Sequence, residues 1–441
     1  MDLKSSAVQT ERVRQLNRRP MRMMEQGARY VLLWVQQDVR AEWNHAVTFA
    51  VELANQLGLP LVAVYGLCEK FPDANERMFA FLLDGLADLH ASLRRRGIRL
   101  IALRLPPPEA ALHLSSSAAA VVVDRGYTRI CRQWREFAAE RAGCTVYQVE
   151  TSTIVPVETA SCEYERSAAS LRPKLHRHLP RFLIPVPEAH PSHSSLDLLL
   201  LQPSQEGEAE HLQLNLDDPA AVLASLEIDR SVPRCRGFKG GAAQAQQHLQ
   251  TFVTRKLAAY GNGKANDPSM QCNSFLSPYL HFGHISSLQI ALAVRSAVAT
   301  AAARDATQER PGSGAPVLGS GTRTLSGASA SDAFLEELIV RRELARNFAW
   351  YCPERYDRWR GVPSWARETL EEHSADPRAQ LFSFQQLCRG ETDDPYWNAA
   401  QWEVCPPALC CKEGANVNAP ASFFVQCTGK CDSRDTDKKV T

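Results

Sequence analysis

Residues 274–286, SFLSPYLHFGHIS, have the residue types of a phosphate-binding loop. Ser274 and Ser277 flank an apolar pair, and Pro278 favours a helix start directly after them, because proline fits the first turn of a helix. Hydroxyls and backbone N–H groups at such a start can converge on one phosphate. The stretch therefore fits a pyrophosphate site; the alternative is a capped helix entry that binds nothing.

Residues 334–351, FLEELIVRRELARNFAWY, have apolar positions at helical spacing. The predicted buried stripe is Leu335, Leu338, Ile339, Ala345, Phe348 and Ala349. Glu337 and Arg341 stand four residues apart on the remaining arc, and as a solvated ion pair they would contribute only about 0.3–0.5 kcal/mol. If Glu337 points into a cleft instead, desolvation keeps it protonated and able to donate a hydrogen bond to a developing oxyanion.

A third candidate is a segment in which cations and flat aromatic rings alternate. Its members are Trp350, Tyr351, Arg355, Tyr356, Arg358, Trp359, Arg360 and Trp365. Nucleic-acid surfaces use such cations for phosphates and such rings for exposed bases. Tryptophans that pack between helices are the alternative interpretation.

The 13 cysteines do not indicate a metal centre or a disulfide framework. Seven are scattered singly through the chain, as buried thiols of a reducing compartment are. The other six lie between Cys388 and Cys431, where they form no paired CxxC knuckles and no histidine follows Cys388. We predict no metal site.

The elements that must position these residues follow from hydrophobic periodicity. Strands are predicted at 30–35, 61–66, 98–105, 119–124 and 144–149, with helices at 42–57, 75–96, 108–115 and 129–142. This alternation predicts an α/β fold with a doubly wound, Rossmann-like parallel sheet. Since no GxGxxG follows the first strand, an ordinary dinucleotide site is disfavoured.

Helical spacing dominates the second half of the chain. Helices are predicted near 241–260, 285–300, 332–351 and 364–372, which indicates an all-α domain. Residues 296–333 are rich in Ala, Ser, Gly and Thr and are predicted to be a flexible insert. The predicted domains are a tail at 1–27, an α/β domain at 28–160, a connector at 161–235, a helical domain at 236–401 and a Cys-rich tail at 402–441.

The charge balance leaves the class of partner open. Fifty Lys and Arg against 49 Asp and Glu give a net charge of +1, so any contact with nucleic acid must use a local basic surface. No apolar run approaches the roughly 20 residues of a membrane span. We expect an intracellular, soluble monomer, with nucleus, cytoplasm and chloroplast unresolved; the Arg-rich residues 11–22 fit either an organelle address or a basic tail.

Taken in order, several motifs resemble those of class II cyclobutane pyrimidine dimer photolyases, which belong to the photolyase/cryptochrome family. The similarity covers about residues 11–401. The motifs are RAEWN at 40–44, DRGYTRICRQW at 124–134, EYERSAASLRPK at 163–174, the loop at 274–286, EELIVRRELARN at 336–347 and WNAAQ at 397–401.

The resemblance implies an antenna-type α/β domain, a helical domain that binds FAD, and light-driven splitting of pyrimidine dimers in UV-damaged DNA. A second antenna chromophore of deazaflavin or folate type would accompany the FAD. By residue, it implies that Glu337 contacts the dimer and that Trp397 transfers electrons. It assigns FAD to Tyr260, Asn273, Ser274, Leu276 and Ser277, and DNA to Arg341, Arg342, Arg355 and Arg358.

Two departures from the family pattern leave alternative functions open. Ala265 stands where the family has Arg, and after Gln401 the sequence lacks the family's GKMHG-type continuation. The flavin and dimer pockets are therefore expected to be incomplete. The alternatives are a truncated, catalytically inactive isoform, a cryptochrome-like flavin-binding or signalling protein, or an unrelated nucleotide-binding α/β protein.

Overall fold

The structure is a computed structural model, and it describes residues 6–198, 212–235, 237–260, 272–308 and 326–404. Ala265 and most of the predicted Cys-rich tail, residues 405–441, lie outside the described residues.

One mixed sheet organises the first half of the chain. Within the described residues its six strands are β1 Val13–Gln15, β2 Tyr30–Trp34, β3 Leu61–Gly66, β4 Arg99–Leu103, β5 Ala118–Asp124 and β6 Thr145–Val149. Their spatial order is β1-β6-β5-β2-β3-β4, and all neighbours are parallel except β1 and β6. The chain thus winds outward in two directions from β2 and β5, which confirms the predicted doubly wound sheet.

Helices cover both faces of this sheet. They are α1 His45–Leu57, α2 Glu76–Arg95, α3 Pro107–Ser115 and α4 Arg129–Arg141. One apolar cluster holds residues of α1 and α2, and a second holds residues of α3 and α4 on the opposite face. Because both faces are covered, all five residues of β2 are buried, which explains the uninterrupted apolar runs in the sequence.

The N-terminal segment is not the tail that the sequence predicts. Strand β1 pairs antiparallel with β6, and Val13 lies opposite Val149. Arg12 is only 1% exposed, and its guanidinium donates to backbone carbonyls after β6. A three-residue strand leaves no periodic signal in the sequence, so this edge escaped prediction.

The connector, residues 161–235, follows the short helix α5 Val157–Ala160 and contains α6 Ala168–Phe182 and α7 Pro219–Ser225. Helix α6 packs in the helical core, whereas the later residues Ser195 and Leu214 lie at the far edge of the sheet. The Ser195 hydroxyl donates to the Leu61 carbonyl at 2.5 Å and accepts from the Arg99 N–H at 2.8 Å. Leu214 N donates to the Ala102 carbonyl at 2.8 Å. These contacts attach the later part of the connector to the α/β domain.

The second half is helical. Its helices are α8 Ala242–Thr251, α9 Ser277–His281, α10 Ser287–Gln308, α11 Ser326–Leu335, α12 Arg342–Tyr351, α13 Ser364–Glu372, α14 Phe384–Arg389 and α15 Pro395–Val404. The flexible-insert prediction is wrong for 296–308 and 326–333, which are helical because alanine-rich segments favour helix; residues 309–325 lie outside the described residues. No helix in the described ranges is long and apolar enough to cross a membrane.

Candidate functional site

A π-turn divides the helix predicted over 334–351. It spans Glu336–Arg341 and joins α11 to α12, and the Arg342 N–H donates to the Glu337 carbonyl five residues back. The extra residue rotates everything after it by about 100° relative to an uninterrupted α-helix. Leu338 and Ile339 are therefore buried as predicted, but Ala345 is exposed.

Two polar residues outside the predicted stripe are buried in this half of the helix. Glu343 is 3% exposed and Asn347 is 2% exposed. Periodicity counted through the π-turn predicts the wrong face for this half of the helix, since it assumes 3.6 residues in every turn. The stripe prediction is corrected accordingly.

The ion pair expected between Glu337 and Arg341 does not form. Instead Arg341 Nε lies 3.9 Å from Oε1 of Glu336, because a five-residue spacing shares one face of a π-turn. Arg172 of α6 binds the same carboxylate twice, with contacts of 3.0 and 2.7 Å. Glu336 is thus committed to two arginines, and the Glu337 side chain remains exposed.

Tyr260 packs at the start of the segment that carries Glu337, although 77 positions separate the two residues in the sequence. The Tyr260 ring lies edge-on to Phe334, three residues before Glu337, at 5.2 Å and to Phe252 at 5.8 Å between centroids. Burial raises the pKa of Tyr260, and the negative charge of Glu337 raises it further. The fold therefore brings one predicted flavin contact to the helical segment that carries the predicted dimer contact.

The loop before α9 supplies hydrogen-bonding groups. Asn273, Ser274 and Ser277 are half-buried, and the Ser274 hydroxyl accepts from the Leu276 N–H at 3.4 Å. Phe275 has φ of 57°, a left-handed conformation that non-glycine residues seldom adopt. Leu276 is 1% exposed and packs in the helical core, so its side chain is not presented to a ligand.

Lys256 provides positive charge at this loop. Its Nζ lies 3.4 Å from the Asn273 carbonyl oxygen and 4.6 Å from the Phe275 ring centroid. Burial lowers the pKa of Lys256. Its partners in the described residues are thus a carbonyl and a ring, which leaves its charge available to an anion. The sequence did not single out Lys256, because no motif marks it.

Residues 281–284, the second half of the loop motif, bind the α/β domain rather than a ligand. Gln37 Nε2 donates to the His281 carbonyl at 2.9 Å, and Arg40 donates to the Gly283 carbonyl at 3.0 Å. Gly283 has φ of +69°, and a Cβ there would lie 2.3 Å from the Gln37 carbonyl oxygen. Only glycine permits this close approach of the two domains.

A buried carboxylate occupies the point where the strand order reverses. In doubly wound sheets this crevice commonly binds ligands. Here Asp124, at the end of β5, accepts from the N–H groups of Gln36, Gln37 and Asp38 at 2.6, 2.5 and 2.9 Å. Burial and the neighbouring Asp38 raise the pKa of Asp124 to about 6. In this protein Asp124 therefore occupies the crevice and fixes the loop after β2 through these hydrogen bonds.

The basic and aromatic segment divides into two parts. Trp350 stacks between Arg125 and Arg132 at 3.8 and 4.4 Å, and the Tyr356 hydroxyl accepts from the Arg129 N–H at 2.8 Å. Trp350 and Tyr356 are therefore packing residues, as in the alternative interpretation of this segment. The exposed members are Arg355, Arg358, Trp359, Arg360 and Trp365.

Arg342 does not lie on that exposed surface. Its guanidinium donates to the Ser152 carbonyl at 2.7 Å, and burial lowers its pKa to about 10. The prediction that Arg342 contacts DNA disagrees with this inward position, which results from the rotation at the π-turn. Arg341 and Arg355 are exposed, although Arg355 also donates to the Cys352 sulfur at 3.2 Å.

Trp397 lies on α15, and its side chain is 42% exposed. Its indole N–H donates to the Leu387 carbonyl at 3.1 Å, which joins α15 to α14. The surrounding segment exposes other large apolar side chains. They are Trp365, Leu370, Leu381, Phe384 and Tyr396.

Comparison with known proteins agrees with this architecture. The DNA photolyase family model matches residues 31–192. The chain is 39% identical over 397 residues to the deoxyribodipyrimidine photo-lyase of Methanothermobacter thermautotrophicus, covering 90% of this chain and 78% of that protein. It is 30% identical over 410 residues to the protein of that name from Arabidopsis thaliana, covering 90% and 74%.

Solved structures with a similar fold include a bacterial class III photolyase from Agrobacterium tumefaciens, at 21% identity and a TM-score of 0.59, covering 86% of this chain and 69% of that one. An archaeal photolyase from Sulfolobus tokodaii aligns at 19% identity and a TM-score of 0.54, covering 85% and 70%. The fold is thus an α/β domain followed by an all-α domain, as in these solved structures. With the 39% identical relative, this fold establishes that the chain belongs to the DNA photolyase family, the photolyase/cryptochrome proteins.

Proposed function

We propose that the chain is a deoxyribodipyrimidine photo-lyase, a carbon–carbon lyase that repairs cyclobutane pyrimidine dimers in DNA with light and reduced FAD. The observation that carries this proposal is the position of the exposed Glu337 carboxyl in the π-turn, one helical turn after Phe334, on which the Tyr260 ring packs at 5.2 Å between centroids. An exposed carboxyl there is accessible to a pyrimidine dimer extruded from the duplex, and extrusion of a damaged site costs least, because its pairing is already weakened.

Class II is the class that the sequence motifs favour. The six motifs occur in the family's order, and five of them span both domains up to residue 347. The class III structure from Agrobacterium is only 21% identical to this chain, whereas curated photo-lyases from an archaeon and a plant reach 39% and 30%. The assignment to class II rests on these motifs.

The loop at 273–277 suits the diphosphate of FAD. The side chains of Ser274, Ser277 and Asn273 offer donors, and Lys256 offers positive charge without a carboxylate among its contacts in the described residues. Tyr260, whose ring packs on Phe334 just before the π-turn, adds a hydroxyl. Bound and reduced, FAD would supply the photoexcited electron that opens the dimer. The residues of the chain bind the cofactor and position the lesion.

Glu337 is proposed to bind a proton when the docked dimer covers it, because desolvation disfavours the carboxylate, and then to donate a hydrogen bond to a dimer carbonyl on which negative charge develops. The exposed cations Arg341, Arg355 and Arg358 are proposed to bind phosphates of the DNA strand. Arg342 is left out of this surface because it points inward.

A second chromophore, of deazaflavin or folate type, remains part of the proposal. The archaeal photolyase from Sulfolobus tokodaii contains two FAD molecules, which implies a novel light-harvesting cofactor in that protein. In this chain Asp124 and the loop after β2 occupy the strand-reversal crevice, so an antenna would have to use another part of the α/β domain.

The test is repair of a dimer-containing oligonucleotide by the full chain, loaded with FAD and reduced, under blue light. Glu337→Gln should lower the yield per absorbed photon about tenfold with DNA affinity unchanged, and Glu368→Gln, an exposed carboxylate on α13, should change neither. Flavin binding with no dimer loss would favour the cryptochrome-like alternative. Failure to bind flavin would favour the inactive isoform.

A further inference from the structure

Polar side chains at four-residue intervals attach α12 to the segment that follows the sheet. Glu343 accepts from the N–H groups of Ile154 and Val155 at 2.5 and 3.4 Å. Asn347 accepts from the Glu165 N–H at 2.8 Å and donates to the Glu163 carbonyl at 2.9 Å. This row of contacts uses backbone groups as partners, so it fixes position along the helix as well as distance.

Tyr351 forms the last contact of the same row. Its hydroxyl donates to the Ser161 carbonyl at 2.7 Å. The three side chains lie on one face because residues four apart are neighbours on an α-helix. Tyr351 is the member farthest from the π-turn, which makes it the natural control.

Because Glu343 and Asn347 are buried, the loss of their hydrogen bonds would be costly. A buried polar group without its partner costs about 1–3 kcal/mol, and a buried charge costs more. Asn347 has both ends of its amide satisfied. Glu343 is surrounded by two backbone N–H donors and by the positive charges of Arg342 and Arg12. Helix α12 therefore has one rotational position about its axis at which Glu343 and Asn347 both have all of these partners.

The π-turn transmits this rotation to Glu337. A π-turn is less stable than α-helix, and it persists when the segments on either side are held by packing. On one side, Phe334 is anchored in the helical core against Phe252, with ring centroids 4.5 Å apart. On the other side, Glu343 and Asn347 hold α12. Releasing α12 would allow the turn to relax to an α-helix and would rotate Glu337 relative to Tyr260.

We propose that Glu343 and Asn347 are positioning residues, which hold the π-turn and thereby keep Glu337 beside Tyr260. The inference rests on the proposed function, because Glu337 is the group that it positions. Neither residue touches the exposed site itself. Their effect on repair therefore passes through Glu337.

A double-mutant cycle tests the proposal. Asn347→Ala should lower the repair yield about fivefold or more, with flavin content and DNA affinity retained. In the Glu337→Gln background the same substitution should cause less than about a twofold further loss. Tyr351→Phe removes a contact of the same row and should reduce thermal stability without changing the yield. Equal losses in both backgrounds would overturn the proposal.

A second measurement does not depend on activity. Fluorotyrosine incorporation followed by ¹⁹F NMR reports the titration of Tyr260, with the signal assigned by Tyr260→Phe. The Glu337 carboxylate raises the pKa of Tyr260, so Glu337→Gln should lower it. Asn347→Ala and Glu343→Gln should lower it in the same direction, whereas Tyr351→Phe should not. An unchanged titration in Asn347→Ala would refute the positioning role, even in a chain that repaired no DNA; absence of repair in the unsubstituted chain would instead refute the proposed function.

Discussion

The Glu343 carboxyl oxygen lies 2.5 Å from the backbone nitrogen of Ile154, across the junction between the helical and α/β domains. The contact is buried, and burial raises the pKa of Glu343 from 4.5 to about 7. The junction therefore contains an ionisable group that changes charge near neutral pH.

Stability should depend on pH through Glu343. Since the pKa is higher in the folded chain than in the unfolded chain, the folded chain binds more protons between about pH 4.5 and 7. The contribution of this group is fully present below the unfolded pKa and declines by up to about 3 kcal/mol as pH rises through the folded pKa. Glu343→Gln should reduce the difference between thermal midpoints at about pH 5 and about pH 8. Asp124 shifts in the same direction and remains in both proteins; equal differences would contradict the prediction.

Gly283→Ala should destabilise the domain junction. The new Cβ would lie 2.3 Å from the Gln37 carbonyl oxygen, and the backbone has φ of +69°. We expect a loss of about 2 kcal/mol or more in the free energy of unfolding, measured by denaturant titration. Gly237→Ala, where no atom lies within 4 Å of the added Cβ, is the control and should change stability by less than about 0.5 kcal/mol.

Arg125→Ala should lower the free energy of unfolding more than the loss of a similar contact at the surface. Arg125 is buried, pairs with the buried Glu150 carboxylate and stacks on Trp350 at 3.8 Å. Its removal leaves a buried charge unpaired, which costs about 3–5 kcal/mol. Arg141 stacks on Phe137 at 3.7 Å but is exposed, so Arg141→Ala should cost below about 1 kcal/mol. Similar losses in the two variants would contradict this account.

Lys256→Gln should weaken binding of FAD more than binding of riboflavin. Its ammonium lies beside the loop at 273–277, where the diphosphate is proposed to bind, and riboflavin has no phosphate. A tenfold loss, about 1.4 kcal/mol, is expected for FAD in fluorescence titrations, with riboflavin affinity unchanged. Arg255→Gln changes the preceding, exposed cation and should leave both affinities unchanged. An equal loss for both flavins would exclude a phosphate contact.

Arg358→Ala should reduce the salt dependence of DNA binding. An exposed arginine that neutralises one phosphate contributes about 1 to the slope of log affinity against log salt. Fluorescence anisotropy with a dimer-containing oligonucleotide at several salt concentrations measures this slope. Arg342→Gln should lower thermal stability and leave the slope unchanged, since Arg342 points inward. A changed slope for Arg342→Gln would restore it to the DNA surface.

The sequence predicts the parallel strands well because each is buried on both faces. Leu61–Gly66 coincides with the predicted strand, since a short continuous apolar run bounded by polar residues is typical of a strand with helices on both sides. The edge strand Val13–Gln15 has no such run. Its pairing depends on β6, which is distant in sequence, so local pattern could not reveal it.

The candidate site, like the sheet, could be predicted from the sequence only in part. Glu337 was named from the residue pattern and from the resemblance, and Tyr260 from the resemblance alone. A fixed period of 3.6 residues assumes that no turn contains an inserted residue. It therefore could not anticipate the π-turn, the inward Arg342 or the buried Glu343. Likewise, Gly283 is visible in the sequence as a glycine, but the partner that requires it, Gln37, lies in another domain.

The loop after β6 separates two buried charges of opposite sign. Arg12 donates to the carbonyls of Glu150, Thr153 and Ile154, while Glu343 accepts from N–H groups on the same loop. Arg12 and α12 therefore share one support, although 331 positions separate Arg12 from Glu343 in the sequence. A deletion that removes Arg12 would leave the carbonyls of this loop without their donor and would loosen the support of α12.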